Sequence, residues 1–188
     1  MTNEIDGVDY GPLAPLIGLW GGDKGMDVAP EPDGSENSPY YDRLLFEPCG
    51  TVSNAETQTL SVLRYHQVVR RISNDEVFHN ETGYWMWDAA QNLVSRTLTI
   101  PRGVCLVAGG SAEETESGIV IRVHAARGDA NWSIIETPFM RDNASTISFD
   151  HVITVSDGRL AYEELTIVDI YGRRFDHTDA NELTRVDD

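Results

Sequence analysis

Arginines beside apolar residues are the side chains of this sequence best suited to bind a charged ligand. Arg102 and Arg141 each lie in a short segment that mixes polar and apolar residues. A guanidinium that reaches into an apolar cavity can donate two parallel hydrogen bonds to a carboxylate. Arg64 and Arg122, on predicted strands, could act in the same way. The alternative is that these arginines balance the acidic surface, and both interpretations stay open at this point.

Histidines and aromatic residues lie on predicted strands, where alternation decides which way each one points. His66 and His124 share strand faces with arginines, which is typical of a polar lining or an outer surface. His151 alternates with apolar residues, so we expect it to be buried and hydrogen-bonded. Tyr84 and Trp85 are adjacent and therefore point to opposite faces. If the fold is hollow, one of these two residues lines the interior.

Familiar catalytic arrangements are missing from the sequence. It contains no Gly-x-Ser-x-Gly, no His-Glu-x-x-His and no phosphate-binding loop. Glu163 and Glu164 are neighbours on one strand, so they face opposite ways and cannot act on one substrate. Cys49 and Cys105 have no clustered histidines around them in sequence, and we expect free thiols rather than a zinc site. We assign no catalytic residue.

The charge of the chain excludes several kinds of partner. Its 188 residues carry 14 basic and 31 acidic side chains, a net charge of −17. Such a field repels DNA, RNA and anionic membrane surfaces. The first residues are acidic and form no apolar run, so we expect no secretory signal. No stretch approaches the roughly 18 apolar residues of a membrane span. These observations predict a cytoplasmic protein.

Period-two alternation of apolar and polar residues dominates the chain, as it does from Ile147 to Val155. Turn signals such as Asp157-Gly158 separate the alternating segments. Residues 12–17 are predicted to form a short helix, and the stretch 128–143 is irregular. The pattern predicts ten strands, over residues 18–28, 40–49, 57–72, 76–88, 92–100, 103–112, 117–127, 145–156, 159–171 and 174–186.

Ten strands in hairpin order predict an all-β antiparallel meander that closes into a barrel, because closure removes exposed edges. The short connections argue against a two-sheet sandwich, which needs Greek-key crossings. Segment 57–72 carries polar residues on both faces, which favours a partly wet ligand chamber over a sealed core. We expect residues 1–188 to form a single domain.

Three segments carry a family resemblance. The segment PLIGLWGGDKG (15–25) contains Gly-x-Trp-x-Gly, and the segment HNETGYW (79–85) has the form His-x-Glu-Thr-Gly-Tyr-Trp. Residues 177–186 are similar to a closing strand that ends Leu-Thr-Arg-Val. Together they resemble the nitrobindin-like haem-binding β-barrels, which are relatives of the fatty-acid-binding proteins and lipocalins. The resemblance extends over nearly the whole chain.

This resemblance implies roles for particular residues. Trp20, with Gly18 and Gly22 beside it, is expected to close the barrel floor beneath Arg185, whose guanidinium stacks on the indole. His177 is the candidate ligand of a haem iron.

The position of His177 differs from the family pattern by one residue. The family's histidine lies five residues before the leucine that Leu183 matches, whereas His177 lies six before it. One residue reverses side-chain direction in a strand. We therefore expect His177 to point inward only if a bulge intervenes.

Two functions follow from these observations. The first is a barrel that holds an apolar or amphipathic, fatty-acid-like molecule in its interior. The alternative, which the resemblance implies, is a haem protein that binds nitric oxide and isomerises peroxynitrite to nitrate through ferric haem on His177. Related barrels form dimers, so a homodimer is one expected state. The expected ligand contacts are His79, Tyr84, Trp85, Tyr65, Arg102 and Arg141.

Overall fold

Ten antiparallel strands form a closed barrel in the computed structural model, which describes residues 3–186. A short hairpin, β1 (Glu4–Ile5) with β2 (Val8–Asp9), and a 3₁₀ helix (Gly11–Leu16) precede it. A short strand, β10 (Ile134–Glu136), and a helix, α1 (Pro138–Asn143), lie between two of the barrel strands. The barrel strands are β3 (Gly18–Glu31), β4 (Gly34–Ala55), β5 (Gln58–Arg71), β6 (Val77–Asp88), β7 (Leu93–Ile100), β8 (Val104–Thr115), β9 (Gly118–Ala126), β11 (Ala144–Ser156), β12 (Arg159–Ile170) and β13 (Arg173–Arg185).

The predicted ten-strand meander is confirmed. Each barrel strand pairs with the next one along the chain, and β13 pairs with β3 to close the ring. The predicted irregular stretch instead contains β10 and α1, and β10 pairs with the first residues of β8, beyond the part of β8 that pairs with β9. The predicted helix at 12–17 is a 3₁₀ helix that begins one residue earlier.

The first hairpin is longer than the sequence indicates. β3 and β4 remain paired as far as Glu31 and Gly34, so only two residues form the turn where the sequence suggested a connection of eleven. Most side chains between Glu31 and Pro39 are exposed. Backbone pairing rather than side-chain burial therefore stabilises this extension, and the composition of the segment gives no sign of it.

Trp20 and the 3₁₀ helix close one end of the barrel, which we call the closed end. Trp20 is fully buried, and its indole Nε1 donates to the Leu16 carbonyl at 2.6 Å. The Arg185 guanidinium lies 4.4 Å from the Trp20 ring centroid. It also donates to the carbonyls of Pro15 and Ile17. The Arg185 guanidinium thus connects the last strand, β13, to the 3₁₀ helix and to Trp20.

Two glycines permit this close approach. Gly18 has φ +123°, and a Cβ there would lie 2.5 Å from Arg185 Nη1. A Cβ on Gly22 would lie 2.3 Å from the Glu182 carbonyl oxygen. A side chain at either position would collide with β13, so glycine is required where the first and last barrel strands meet.

The barrel interior changes from apolar to polar along its axis. Near the closed end the inward residues, such as Leu63 and Trp85, are almost fully buried. Along β13 the inward residues change from Leu183 to Asp179 and His177 as the strand is followed back towards the opposite, open end. Charged groups are therefore concentrated at the open end, above a packed apolar half. Within residues 3–186, no helix is long and apolar enough to cross a membrane.

Candidate functional site

A cavity of about 290 Å³ lies at the open end of the barrel, and we call it the open-end cavity. It is enclosed by the ends of β3, β5, β6, β12 and β13 and by the turn after β7. Its lining combines charged and polar side chains with a smaller apolar set. The lining residues are Asp27, Ala29, Gln67, Val69, Arg71, Phe78, His79, Arg102, Tyr162, Glu164, His177 and Asp179.

His177 faces this cavity between two carboxylates. Its Nε2 lies 2.6 Å from Asp27 Oδ1 and 3.5 Å from Asp179 Oδ2. The expectation that an inward His177 needs a bulge in its strand is wrong. β13 pairs with β12 without interruption, and His177 shares the inward face with Leu183 because six is an even separation. The irregularity lies in β3, between Gly22 and Gly25.

Glu164 adds a third carboxylate to the same wall. It pairs directly across from Asp179 in the β12–β13 ladder, and both side chains point into the cavity. Its nearest cation is Arg96, whose Nη1 lies 3.9 Å from Glu164 Oε2. Burial raises the pKa of Glu164, and the charge of Glu81 raises it further. Burial also raises the pKa of Asp179, with added repulsion from Glu164 and Asp27.

A buried arginine lies below the cavity. Arg96, on β7, is 1% exposed and donates to Glu81 Oε1 and to His151 Nδ1. It also donates to the Tyr65 hydroxyl at 3.2 Å, and that hydroxyl donates to Glu81 at 2.7 Å. We call these four residues the Arg96 cluster. The predicted burial and hydrogen bonding of His151 are confirmed.

Aromatic rings surround the guanidinium of Arg96. The Arg96 Cζ atom lies 5.0 Å from the Tyr65 ring centroid, 5.1 Å from that of Trp85 and 5.3 Å from that of Phe149. Although burial disfavours a carboxylate, the charge of Arg96 holds the pKa of Glu81 below its usual range. The cluster is therefore a charged pair in an apolar, aromatic shell, where removing either partner is costly.

His79 connects the Arg96 cluster to the cavity. Its Nε2 donates to Glu81 Oε2 at 3.2 Å, and its ring lines the cavity. Burial lowers the pKa of His79, but the hydrogen bond and charge of Glu81, with the charges of Glu164 and Asp179, outweigh it and raise the pKa to about 9. His79 is therefore mostly cationic at neutral pH.

A second polar group contacts two lining residues of the cavity, Gln67 and Tyr162. Asp42 Oδ2 accepts from Gln67 Nε2 at 2.7 Å and from the Tyr162 hydroxyl at 2.8 Å. Tyr40 and Tyr162 share a further hydrogen bond of 2.8 Å. Burial raises the pKa of Asp42 to about 6. Asp42 Oδ1 is buried and has no hydrogen-bond partner.

The structure brings together only some of the residues expected to contact a ligand. His79 and Arg102 line the open-end cavity. Tyr65 and Trp85 lie deeper, against Arg96. Arg141 lies on α1, is exposed and pairs with Asp142, away from the cavity lining.

Tyr84 lies on the outside of the barrel, because Trp85 takes the inward position. An apolar groove of about 400 Å³, which we call the outer groove, runs across β6, β7, β8 and β10 there. Tyr84, Cys105, Val107 and Ile135 line it, and all four are exposed.

The remaining arginine and histidine candidates are on the surface. Arg64 pairs with Glu47, and Arg122 pairs with Glu113, with more than half of each arginine side chain exposed. His124 Nδ1 lies 2.8 Å from Asp150 on the outer surface, and His66 contacts Asn80 there.

Sequence reasoning missed Arg96 and Asp27. Arg96 has a signal that could have found it: it stands between Val94 and Leu98, which are both buried on the inward face of β7. A charged residue on an otherwise apolar strand face is rarely buried unless it is paired. Asp27 has no such signal, because the irregularity in β3 changes which residues point inward.

The donors around His177 determine whether it could hold the haem iron that the resemblance implies. Iron ligation needs a neutral imidazole with a free lone pair. Burial opposes the charged form of His177, but the hydrogen bond to Asp27 and the charge of Asp179 raise its pKa. Three carboxylates, those of Asp27, Glu164 and Asp179, also line the cavity that His177 faces, and they would oppose burial of an apolar macrocycle there. In this arrangement the residues do not fit a haem, and we derive no step through one.

Comparison with known proteins agrees with the fold. A family model described as the THAP4-like, heme-binding beta-barrel domain matches residues 9–185. Among solved structures, the crystal structure of Rv2717c from M. tuberculosis is similar, with a TM-score of 0.69 and 22% sequence identity. The match covers 93% of this chain and 95% of that one, and at this identity it shows the fold alone. No curated protein matches the chain by sequence.

Proposed function

The chain belongs to the THAP4-like haem-binding β-barrel family, and from this membership we propose that it holds one compact amphipathic molecule in the open-end cavity. The observation that carries the proposal is the divided lining of that cavity. Ala29, Val69 and Phe78 supply apolar surface, while Arg102 and His79 supply hydrogen-bond donors. Ligand sites in proteins combine apolar walls with a few convergent polar groups in this way.

Cavity size and charge narrow the ligand class. A volume of about 290 Å³ is at the lower end of the roughly 300–1,000 Å³ found for small-molecule sites. Below the cavity, the barrel is filled by the Arg96 cluster and the apolar core. A long alkyl chain would have to displace these groups, so a short one fits better. Burial of its apolar part would drive binding, and Arg102 would orient an anionic head group.

Fluorescence of an anilinonaphthalene sulfonate probe tests this proposal. Ala29→Trp places a bulky ring in the cavity, and Val107→Trp does the same in the outer groove, so the two variants are matched. We expect saturable probe binding that octanoate displaces and that Ala29→Trp abolishes, while Val107→Trp keeps it. Loss of binding in Val107→Trp alone, or no saturable binding, would overturn the proposal.

Haem is the second candidate ligand, and family membership is the observation that favours it. It requires His177 to leave Asp27 and lose its proton. A haem titration followed in the Soret region tests this, with His177→Ala and the surface variant His124→Ala side by side. A saturable shifted band that only His177→Ala loses would favour haem, and nitric oxide binding and peroxynitrite isomerisation would then be measured. No band in the unmodified protein would exclude haem.

A further inference from the structure

We propose that Asp27, His177 and Asp179 form a binding site for a divalent transition-metal cation of the Zn²⁺ type. One donor atom from each residue lies within 4.8 Å of the others. The ring nitrogen of His177 lies 2.6 Å from one carboxylate and 3.5 Å from the other. An imidazole nitrogen with two carboxylate oxygens is a donor set that Zn²⁺ accepts, with a fourth position left for water or ligand. The cation would take the place of the proton between His177 Nε2 and Asp27 and release it to solvent, because a ligating imidazole is neutral.

Backbone pairing holds the three donors in place. Asp27 on β3 and Asp179 on β13 are directly opposite each other in the ladder that closes the barrel. His177 lies two residues from Asp179 and so projects from the same face. Sites on paired strands hold their geometry better than sites on loops. Only small side-chain movements would therefore be needed to accommodate a cation.

A separate observation points to a cation at this place: Oε2 of Glu164, a carboxylate of the cavity wall, has no cationic donor within hydrogen-bond distance. Glu164 faces the same cavity, and its nearest cationic atom, Arg96 Nη1, is 3.9 Å away, beyond hydrogen-bond distance. A divalent cation at Asp179 would lie beside this carboxylate, because Glu164 is directly opposite Asp179 in the β12–β13 ladder.

The cation site does not depend on the proposed amphipathic ligand. It needs only the three donor side chains, whereas the amphipathic ligand needs the open volume beside Ala29. Metal binding without probe binding would retain this inference and remove the proposed function. Probe binding without metal binding would retain the proposed function and remove this inference.

Calorimetric titration of the chelator-treated full chain with Zn²⁺ tests the site, and Co²⁺ absorption in the visible region reports the coordination. Asp179→Asn and His177→Gln keep side-chain shape while removing a ligand. His124→Gln is the matched control, because His124 and Asp150 form an exposed histidine–aspartate pair at 2.8 Å. Thermal unfolding of each variant without metal shows whether it folds.

We expect one equivalent of Zn²⁺ in the unmodified protein and in His124→Gln, and no saturable binding in the two ligand variants. Glu164→Gln, next to the site, should weaken Zn²⁺ binding about 10-fold, because loss of a polar residue beside the metal ligands has an effect of this size. Co²⁺ should give a visible band that disappears with His177→Gln. Failure of the unmodified protein to bind, or equal binding by folded His177→Gln, would overturn the site. Binding of an organic amine at the same residues, without Zn²⁺, would also overturn it.

Discussion

Replacing Arg96 with methionine should strongly destabilise the barrel. The substitution keeps much of the side-chain volume but takes the buried cation away from Glu81, which is 2% exposed and would keep only the partly exposed His79 as a cationic partner. Breaking a buried ion pair by removing one partner costs about 3–5 kcal/mol. For a chain of this length, each kcal/mol lowers the melting temperature by roughly 2–4 °C. We therefore expect a fall of about 6–20 °C.

Urea denaturation followed by circular dichroism measures this effect at neutral pH. The control is Arg64→Met, because the Arg64–Glu47 pair is similar in geometry, at 2.6 Å, but exposed. Exposed pairs contribute about 0–1 kcal/mol. The double variant Arg96→Met with Glu81→Leu should be more stable than Arg96→Met alone, because it also removes the buried carboxylate that has lost its cation. A cost below about 1 kcal/mol for Arg96→Met, or no recovery in the double variant, would refute this explanation of the cluster.

Three further predictions concern the cavity wall and the closed end. Because the pKa of His79 rises from 6.5 to about 9 on folding, its contribution to stability is full below pH 6.5 and is lost as the pH rises towards 9. The free energy of unfolding should therefore differ less between pH 6.5 and pH 9 in His79→Gln than in the unmodified protein. An unchanged difference would contradict the raised pKa of His79. Trp20→Ala should cost roughly 3–5 kcal/mol in denaturant unfolding, because a fully buried indole leaves a cavity, and unaltered stability would contradict its structural role. Gly22→Ala should destabilise the barrel more than the neighbouring variant Gly21→Ala. A Cβ on Gly22 would lie 2.3 Å from the Glu182 carbonyl oxygen, whereas a Cβ on Gly21 would lie 3.2 Å from a Val186 methyl group. Equal thermal shifts would contradict the collision.

The order of the barrel strands could be predicted from the sequence because it rests on local chemistry. Alternation places residues such as Ile153 on the inward face, and the Asp157-Gly158 dipeptide forms the turn between β11 and β12. Sequential hairpins then leave a meander as the simplest topology. Trp20 could be assigned to the closed end because the resemblance supplies its partner, Arg185, from the last strand.

Strand ends and irregularities were harder to predict, because they depend on pairing rather than on composition. The β3–β4 ladder continues through a segment that reads as a loop, since backbone groups pair there without apolar burial. The irregularity between Gly22 and Gly25 lies in β3, whereas the sequence pattern indicated only that an inward His177 would need a bulge.

Only the closed barrel decides which charged residues meet. Alternation predicts which residues of a strand share a face with His177, but it does not predict which strand lies beside that face. Asp27 and His177 are 150 positions apart in the chain and become neighbours only because β13 pairs with β3. Arg96 meets His151 in the same way, across the interior. The sequence thus determines the faces of the strands, while ring closure determines the contacts, because contacts across a barrel join residues that no local pattern relates.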